Sequence, residues 1–179
     1  MIIGLVGKAG SGKSTVADIL ENAYNFEHLA FADELKWNVM SDFEINEYSV
    51  YNTRGKEIID PRYNLTPREI LQKVGSFYRE FQENFWVNKV HKKISSRPTL
   101  DFCISDVRYP NELEMIKKED GYIIKIERDD RVEITNSNHA SEISLDNFLD
   151  FDYVIQNNST SRDLEQSVSI MLKILGFKK

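Results

Sequence analysis

Ile2-Ile3-Gly4-Leu5-Val6-Gly7-Lys8-Ala9-Gly10-Ser11-Gly12-Lys13-Ser14-Thr15 opens the chain with an apolar run that turns directly into a glycine-rich loop. From Gly7 to Ser14 it fits the pattern G-x-x-x-x-G-K-S/T, the P-loop. Glycines let the backbone fold tightly enough for successive N–H groups to face one anion. The helix that follows adds the positive end of its dipole. In such a loop Lys13 reaches the β- and γ-phosphates of a nucleotide, and the Ser14 hydroxyl is placed to bind Mg²⁺. The flanks agree with this reading. Residues 2–6 form a buried strand pattern, and Val16, Ala17, Ile19 and Leu20 recur at helical spacing.

With 179 residues the chain is long enough for one compact domain with a real core. Its 29% charged and 41% hydrophobic residues make an ordinary soluble composition. The formal charge of −6 argues against stable nucleic-acid binding, which draws on basic surfaces, while leaving room for a mononucleotide held by local arginines. Cys103 is the single cysteine, so no disulfide forms within the chain, and its apolar setting at 100–104 reads as a packed thiol. No segment approaches the ~20 apolar residues of a membrane helix. No secretory pattern precedes the loop, and a cytosolic protein is the expectation.

Outward from the loop, strand and helix patterns alternate, which favours a parallel α/β sheet with its ligand at the carboxyl ends of the strands. Helix 13–23 is followed by a short strand at 27–32 and a helix at 33–42. The polar stretch from about 44 to 66 reads as a loop or inserted segment. Thr66-Pro67-Arg68-Glu69 is a helix start, with Thr66 as cap, Pro67 in the first turn and Glu69 completing a capping box. Gly75 interrupts that helix, for close packing or for a ligand. A helix over 85–94, an apolar strand over 100–105, a helix over 112–118 and a strand over 122–127 follow. The pattern then predicts a short helix at 142–149, a strand at 151–156 and a helix at 164–175, with Ser161 as a possible cap. No linker divides the chain, so 33–98 reads as a lobe inserted into a single domain spanning 1–179.

Several polar residues stand where these patterns break. Asp106 ends the apolar strand, where an acid either touches Mg²⁺ or caps the chain; Asp101, at the strand's start, belongs to the opposite edge of the sheet. Arg108 follows, with a planar guanidinium suited to bidentate phosphate contacts. Asn111 could cap the next helix, and Glu112 could tie down Arg108. Arg128 and Arg131 flank Asp129-Asp130 at the start of a polar loop, either a short lid over 128–142 or a solvated charged turn.

Together these segments resemble the phage deoxynucleoside monophosphate kinase family of the P-loop nucleotide kinases. The likeness rests on GKAGSGKST at 7–15, FADELK at 31–36, TPREILQKVGSFYRE at 66–80, FW at 85–86, ISDVRYPNE at 104–112 and the HxSE-type segment His139 to Glu142. Tyr109 is a mild departure, since similar sequences often carry phenylalanine there. The resemblance implies an α/β, adenylate-kinase-like three-layer P-loop fold on a five-stranded parallel sheet. It further implies an acceptor lobe within 33–98, a lid near 128–140 and transfer of the γ-phosphoryl group of ATP to a deoxynucleoside monophosphate. Its setting would be DNA precursor supply in the cytoplasm of an infected host, and a homodimer is compatible with it.

On that footing each residue receives an expected role. Gly10, Ser11, Gly12, Lys13, Ser14 and Thr15 bind ATP phosphates, with Ser14 and Asp106 toward Mg²⁺. Arg108, Arg128 and Arg131 serve the transferred group, and Arg128 also serves ATP. Asn157, in the loop after the last strand, is a contact on the adenine side or an ordinary turn residue. Asp33 either binds Mg²⁺, orients the acceptor or caps its helix, and Lys36 assists by charge. Arg68 and Arg79, three helical turns apart, either take the acceptor phosphate, sharing a side if the helix stays regular around Gly75, or are surface arginines at the edge of an apolar face. Gln72 and Tyr78 are base or sugar contacts, and Trp86 lines an apolar base pocket unless, as is commoner for any one aromatic, it packs in the core. Another small-molecule P-loop kinase, or a nucleotide-binding switch without turnover, would share Lys13 and Ser14 while differing in the acceptor pocket.

Overall fold

The computed structural model describes residues 1–129, 144–145 and 147–178. Arg131, most of the lid predicted at 128–142 and the segment from His139 to Glu142 lie outside the described residues. Among the described residues, five strands form one parallel sheet in the order β2-β3-β1-β4-β5: β1 (Ile2–Val6), β2 (Glu27–Leu29), β3 (Phe102–Ile104), β4 (Tyr122–Glu127) and β5 (Tyr153–Gln156). Every pairing is parallel, with Ile3 opposite Cys103 on one side and Tyr122 on the other. This is the five-stranded α/β fold expected from the resemblance. All five residues of β1 are buried, as befits the central strand of a sheet covered on both faces.

The chain divides into two compact units, Met1–Ala30 with Lys93–Lys179, and Phe31–Lys92. In the first unit, strand residues Ile3, Leu5, Ile124, Ile126 and Ile155 pack with Val16, Ala17 and Leu20 of α1 (Lys13–Tyr24) and with Leu164, Val168, Met171 and Leu172 of α7 (Ser161–Ile174). Gly4 alternates to the other face, where a Cβ would lie 2.5 Å from Ile116 Cδ1 of α6 (Pro110–Lys118). That alternation places α6 opposite α1 and α7 and makes three layers.

The second unit is helical: α2 (Asp33–Asp42), α3 (Glu47–Tyr51), α4 (Pro67–Phe81) and most of α5 (Phe85–Ser95). Leu35, Val39, Ile45, Val50, Ile70 and Trp86 form its core. The capping box at the start of α4 is present: the Thr66 hydroxyl accepts from Glu69 N–H at 3.2 Å, and Thr66 N–H donates to the Glu69 carboxylate at 2.7 Å. At Gly75 a Cβ would meet Leu35 Cδ2 at 3.0 Å, so the glycine serves close packing of α4 on α2.

Some boundaries differ from the sequence reading. The second strand stops at Leu29. The stretch 44–66 contains α3, capped by the Asn46 side chain on Ser49 N–H at 2.8 Å, then a 3₁₀ turn over Gly55–Glu57 and a bridge between Asp60 and Leu65. Five helical residues make under two turns, too few for a periodic signal to show. Of the helix predicted at 142–149, Ser144, Leu145 and Asn147 are turn residues. Thr160, rather than Ser161, caps α7 through a reciprocal pair with Asp163. Helix α6 starts at Pro110, before Asn111. Its end is tied by Glu112, whose carboxylate accepts from the backbone N–H groups of Arg108 at 2.7 Å and Tyr109 at 3.1 Å.

Candidate active site

The loop after β1 stands at the centre of the sheet, where the chain leaves β1 for one side and later returns on the other. Such a switch point is where open α/β sheets bind ligands. Within it, Ser11 N–H donates to Lys8 carbonyl oxygen at 3.2 Å, closing a turn. Gly10 and Gly12 have φ of 77° and 105°, left-handed values that glycine adopts without strain. Gly12 precedes Lys13 at the N-terminus of α1, and no acidic residue occupies the first turn. The helix thus meets an anion with its positive end uncompensated. Lys13 Nζ lies across the loop, donating to the carbonyl oxygens of Gly7 at 2.6 Å and Lys8 at 3.0 Å. Ser14 and Thr15 are exposed in the first turn, whereas Ser11 is fully buried. The Ser11 side chain is therefore withdrawn from solvent.

The other strand ends of this unit supply the remaining groups. Asp106 follows β3 by two residues and is half-buried, as is Arg108, whose backbone Glu112 holds; Glu112 itself is buried. The Ser14 hydroxyl and the Asp106 carboxylate are hard oxygen donors, the kind Mg²⁺ takes alongside phosphate oxygens and water. Arg128 is half-buried just past β4. Asn157, just past β5, is 9% exposed, and its side-chain amide donates to the Ser11 carbonyl oxygen at 2.9 Å. The sequence alone leaves this residue as an adenine-side contact or an ordinary turn residue. Asp101, at the opposite edge as expected, pairs with the Met1 amino group.

In the second unit, Ala32 occupies the N-cap of α2 and Asp33 its first turn. The capping alternative for Asp33 is thereby replaced by a favourable interaction with the helix dipole. Asp33 lies 3.8 Å from Lys36 Nζ, which itself stands 4.7 Å from the ring centroid of Tyr51. Partial burial, then the charges of Asp33 and Glu47, push the Tyr51 phenol up from its ordinary pKa. Tyr51 escaped the sequence reading because it lies on α3, in the stretch that reads as a loop or inserted segment. Arg68 pairs with Glu57 at 2.6 Å. Arg79 turns back along α4 to donate to the Gly75 carbonyl oxygen at 3.3 Å. Gln72 is half-buried on α4. Tyr78 stacks on Phe85, with centroids 4.6 Å apart. Trp86, named as an acceptor contact, is 1% exposed and donates its indole N–H to Gly75 carbonyl oxygen at 3.1 Å. Packing is the role the structure gives it.

Comparison with known proteins places this geometry. The Campylobacter jejuni dephospho-CoA kinase superposes with a TM-score of 0.52 at 15% identity, covering 97% of this chain and 96% of that one. Shikimate kinase from Bacteroides thetaiotaomicron gives 0.55 at 14% identity, with 99% of each chain covered. At such identities these likenesses speak for the fold. A protein of Acanthamoeba polyphaga mimivirus, whose name gives it provisionally as a deoxynucleotide monophosphate kinase, is 33% identical over 184 residues, 94% of either chain. The sequence profile described as deoxynucleotide monophosphate kinase matches residues 42–168, more than half of the chain and wholly beyond the phosphate loop. Loop and profile are thus separate stretches that agree on a P-loop kinase for a small nucleotide or phosphorylated metabolite, and the chain belongs to the deoxynucleotide monophosphate kinase family.

Proposed function

We propose that the protein transfers the γ-phosphoryl group of ATP to a deoxynucleoside 5′-monophosphate, giving ADP and the deoxynucleoside diphosphate. The observation that carries this reading is the loop from Gly7 to Ser14, with Lys13 bonded across its concavity, in a chain of this family. In the reaction an acceptor phosphate oxygen forms the new bond to the γ-phosphorus as the bond to the β-bridging oxygen breaks. The acceptor needs no strong general base, because a phosphate monoester's second pKa is about 6. Catalysis is then mainly positioning and charge stabilisation.

Lys13 exchanges its bonds to Gly7 and Lys8 for phosphate oxygens, while backbone N–H groups of Gly10, Gly12 and Lys13 supply fixed donors. Ser14 and Asp106 would hold Mg²⁺, which when bound would offset negative charge on the β- and γ-phosphates. Arg108, Arg128 and Arg131 are assigned to the phosphoryl group in transfer. In the second unit Arg79 and Arg68 take the acceptor phosphate, with Asp33, Lys36, Gln72 and Tyr78 toward its sugar and base. The deoxynucleotide in the mimivirus relative's name is a building block of DNA, which supports a place in DNA precursor supply.

The test is diphosphate formation by purified protein with Mg-ATP and each common deoxynucleoside monophosphate, with ribonucleotide and no-acceptor controls. Acceptor-dependent formation of both ADP and the diphosphate is expected. ATP binding without transfer to any acceptor in the panel would refute the assignment.

A further inference from the structure

The loop after β5 reaches two other loops of the first unit through consecutive asparagines. Asn157 N–H donates to Glu127 carbonyl oxygen at 2.7 Å, continuing the β4–β5 ladder one residue past the strand. Asn158 pairs with Asp129 in both directions: Asp129 N–H donates to Asn158 Oδ1 at 2.9 Å, and Asn158 Nδ2 donates to the Asp129 carboxylate at 2.5 Å. The backbone on either side of the Asn157 side chain is therefore fixed. From that fixed point Nδ2 donates to the carbonyl oxygen of Ser11, a fully buried residue in the turn of the phosphate loop. A carbonyl only accepts, so the amide must present its nitrogen there, and an isosteric carboxylate would set acceptor against acceptor. Next to it, a Cβ on Gly12 would lie 2.2 Å from the same Nδ2. The asparagine fills the space that glycine leaves open behind the loop.

We propose that Asn157 is a positioning residue for the donor phosphates: by holding the Ser11 carbonyl it keeps the neighbouring loop N–H groups aimed at the triphosphate, rather than touching adenine. This rests on the loop binding a nucleotide, as in the proposed function, and on no particular acceptor. The chemistry follows from preorganisation. Loop N–H groups stabilise phosphate charge best when their direction is set before the ligand arrives, and Ser11 and Gly12 are the residues just before Lys13. Losing the amide leaves a buried carbonyl without its donor and lets the loop relax.

Direct binding separates the two roles. Affinities of inorganic tripolyphosphate, ATP, GTP and adenosine are measured for the full chain and for Asn157→Asp. Positioning predicts that tripolyphosphate and ATP weaken together by about tenfold, the scale of one buried hydrogen bond lost with its acceptor left unpaired. The ATP-to-GTP preference and adenosine affinity then stay as in the parent. Unchanged tripolyphosphate affinity, or a loss shared by adenosine and altering base preference, overturns the proposal in favour of a base contact. Asn157→Ser, which shortens the reach without adding charge, repeats the comparison if the aspartate variant does not fold. In the kinase assay kcat and the KM for ATP should move while the KM for acceptor holds. Because the binding arm needs no turnover, an inactive parent would count against the kinase reading and leave this one decided separately.

Discussion

In the first unit the phosphate loop offers an anion backbone N–H groups, a helix end and Lys13, gathered within nine consecutive residues after β1. In the second unit the groups suited to an anion are side chains on separate turns of helix, and several are engaged inside the unit: Arg68 with Glu57, Arg79 with Gly75 carbonyl oxygen, Lys36 with Asp33. The contrast teaches that a donor cradle made of backbone is fixed by local conformation. In the proposed acceptor site, made of side chains, internal partners must be exchanged for substrate. Such partners hold long, flexible side chains in place at modest cost, since partly exposed ion pairs contribute little net stability.

The largest effect expected concerns the core of the second unit. Trp86→Ala removes a 1%-exposed side chain and the donor to Gly75, and should cost about 3–5 kcal/mol in urea unfolding. A variant that keeps its stability while losing only acceptor affinity would break the assignment of Trp86 to packing. On the donor side, Lys13→Ala should slow transfer by at least about a hundredfold, the scale of losing one preorganised charged donor, with a near-parental unfolding midpoint. Turnover close to the parent's would remove the loop from the mechanism.

Arg79→Ala tests the acceptor half: about tenfold in the KM for the monophosphate and less than about twofold in the KM for ATP, as for one charge-assisted phosphate contact. Equal losses on both substrates would make Arg79 a structural residue of α4. The smallest effect concerns Cys103, in the core of the first unit. Burial, then the charges of Glu21 and Asp18, push its thiol well up from the ordinary range. A folded-state pKa above the unfolded value of about 8.5 gives stability that is complete below that pH and declines as pH rises past it. Urea midpoints between pH 7 and 10 should therefore fall more steeply for the parent than for Cys103→Ala. A thiol reagent should label the native protein only as fast as it opens. Rapid labelling would show that the core around β3 is looser than its burial states.

What could be read in advance followed the range of the interaction. The phosphate loop, the Thr66 capping box and helix 33–42 were legible because each is set by neighbours within a few residues. The stretch 44–66 was not, since α3 is shorter than two turns and is held by Val50 in the core of its unit. Tyr51 went unnoticed with it. Asn157 was picked out by position after the last strand, but its partner lies 146 residues away in sequence. Spacing along the chain carries no record of which of the two, adenine or Ser11, the amide would meet.

The sequence by itself determined the phosphate loop, the alternation that makes a parallel sheet and the family, because glycine conformational freedom, periodic burial and dense motifs are local properties. Tertiary structure alone decided that Trp86 is core, that Gly75 lets α2 and α4 approach and that Arg68 faces Glu57. It alone also set Asn157 behind the phosphate loop. Those outcomes depend on which distant groups compete for the same hydrogen bond or the same few ångströms of space, and only the folded chain brings the competitors together.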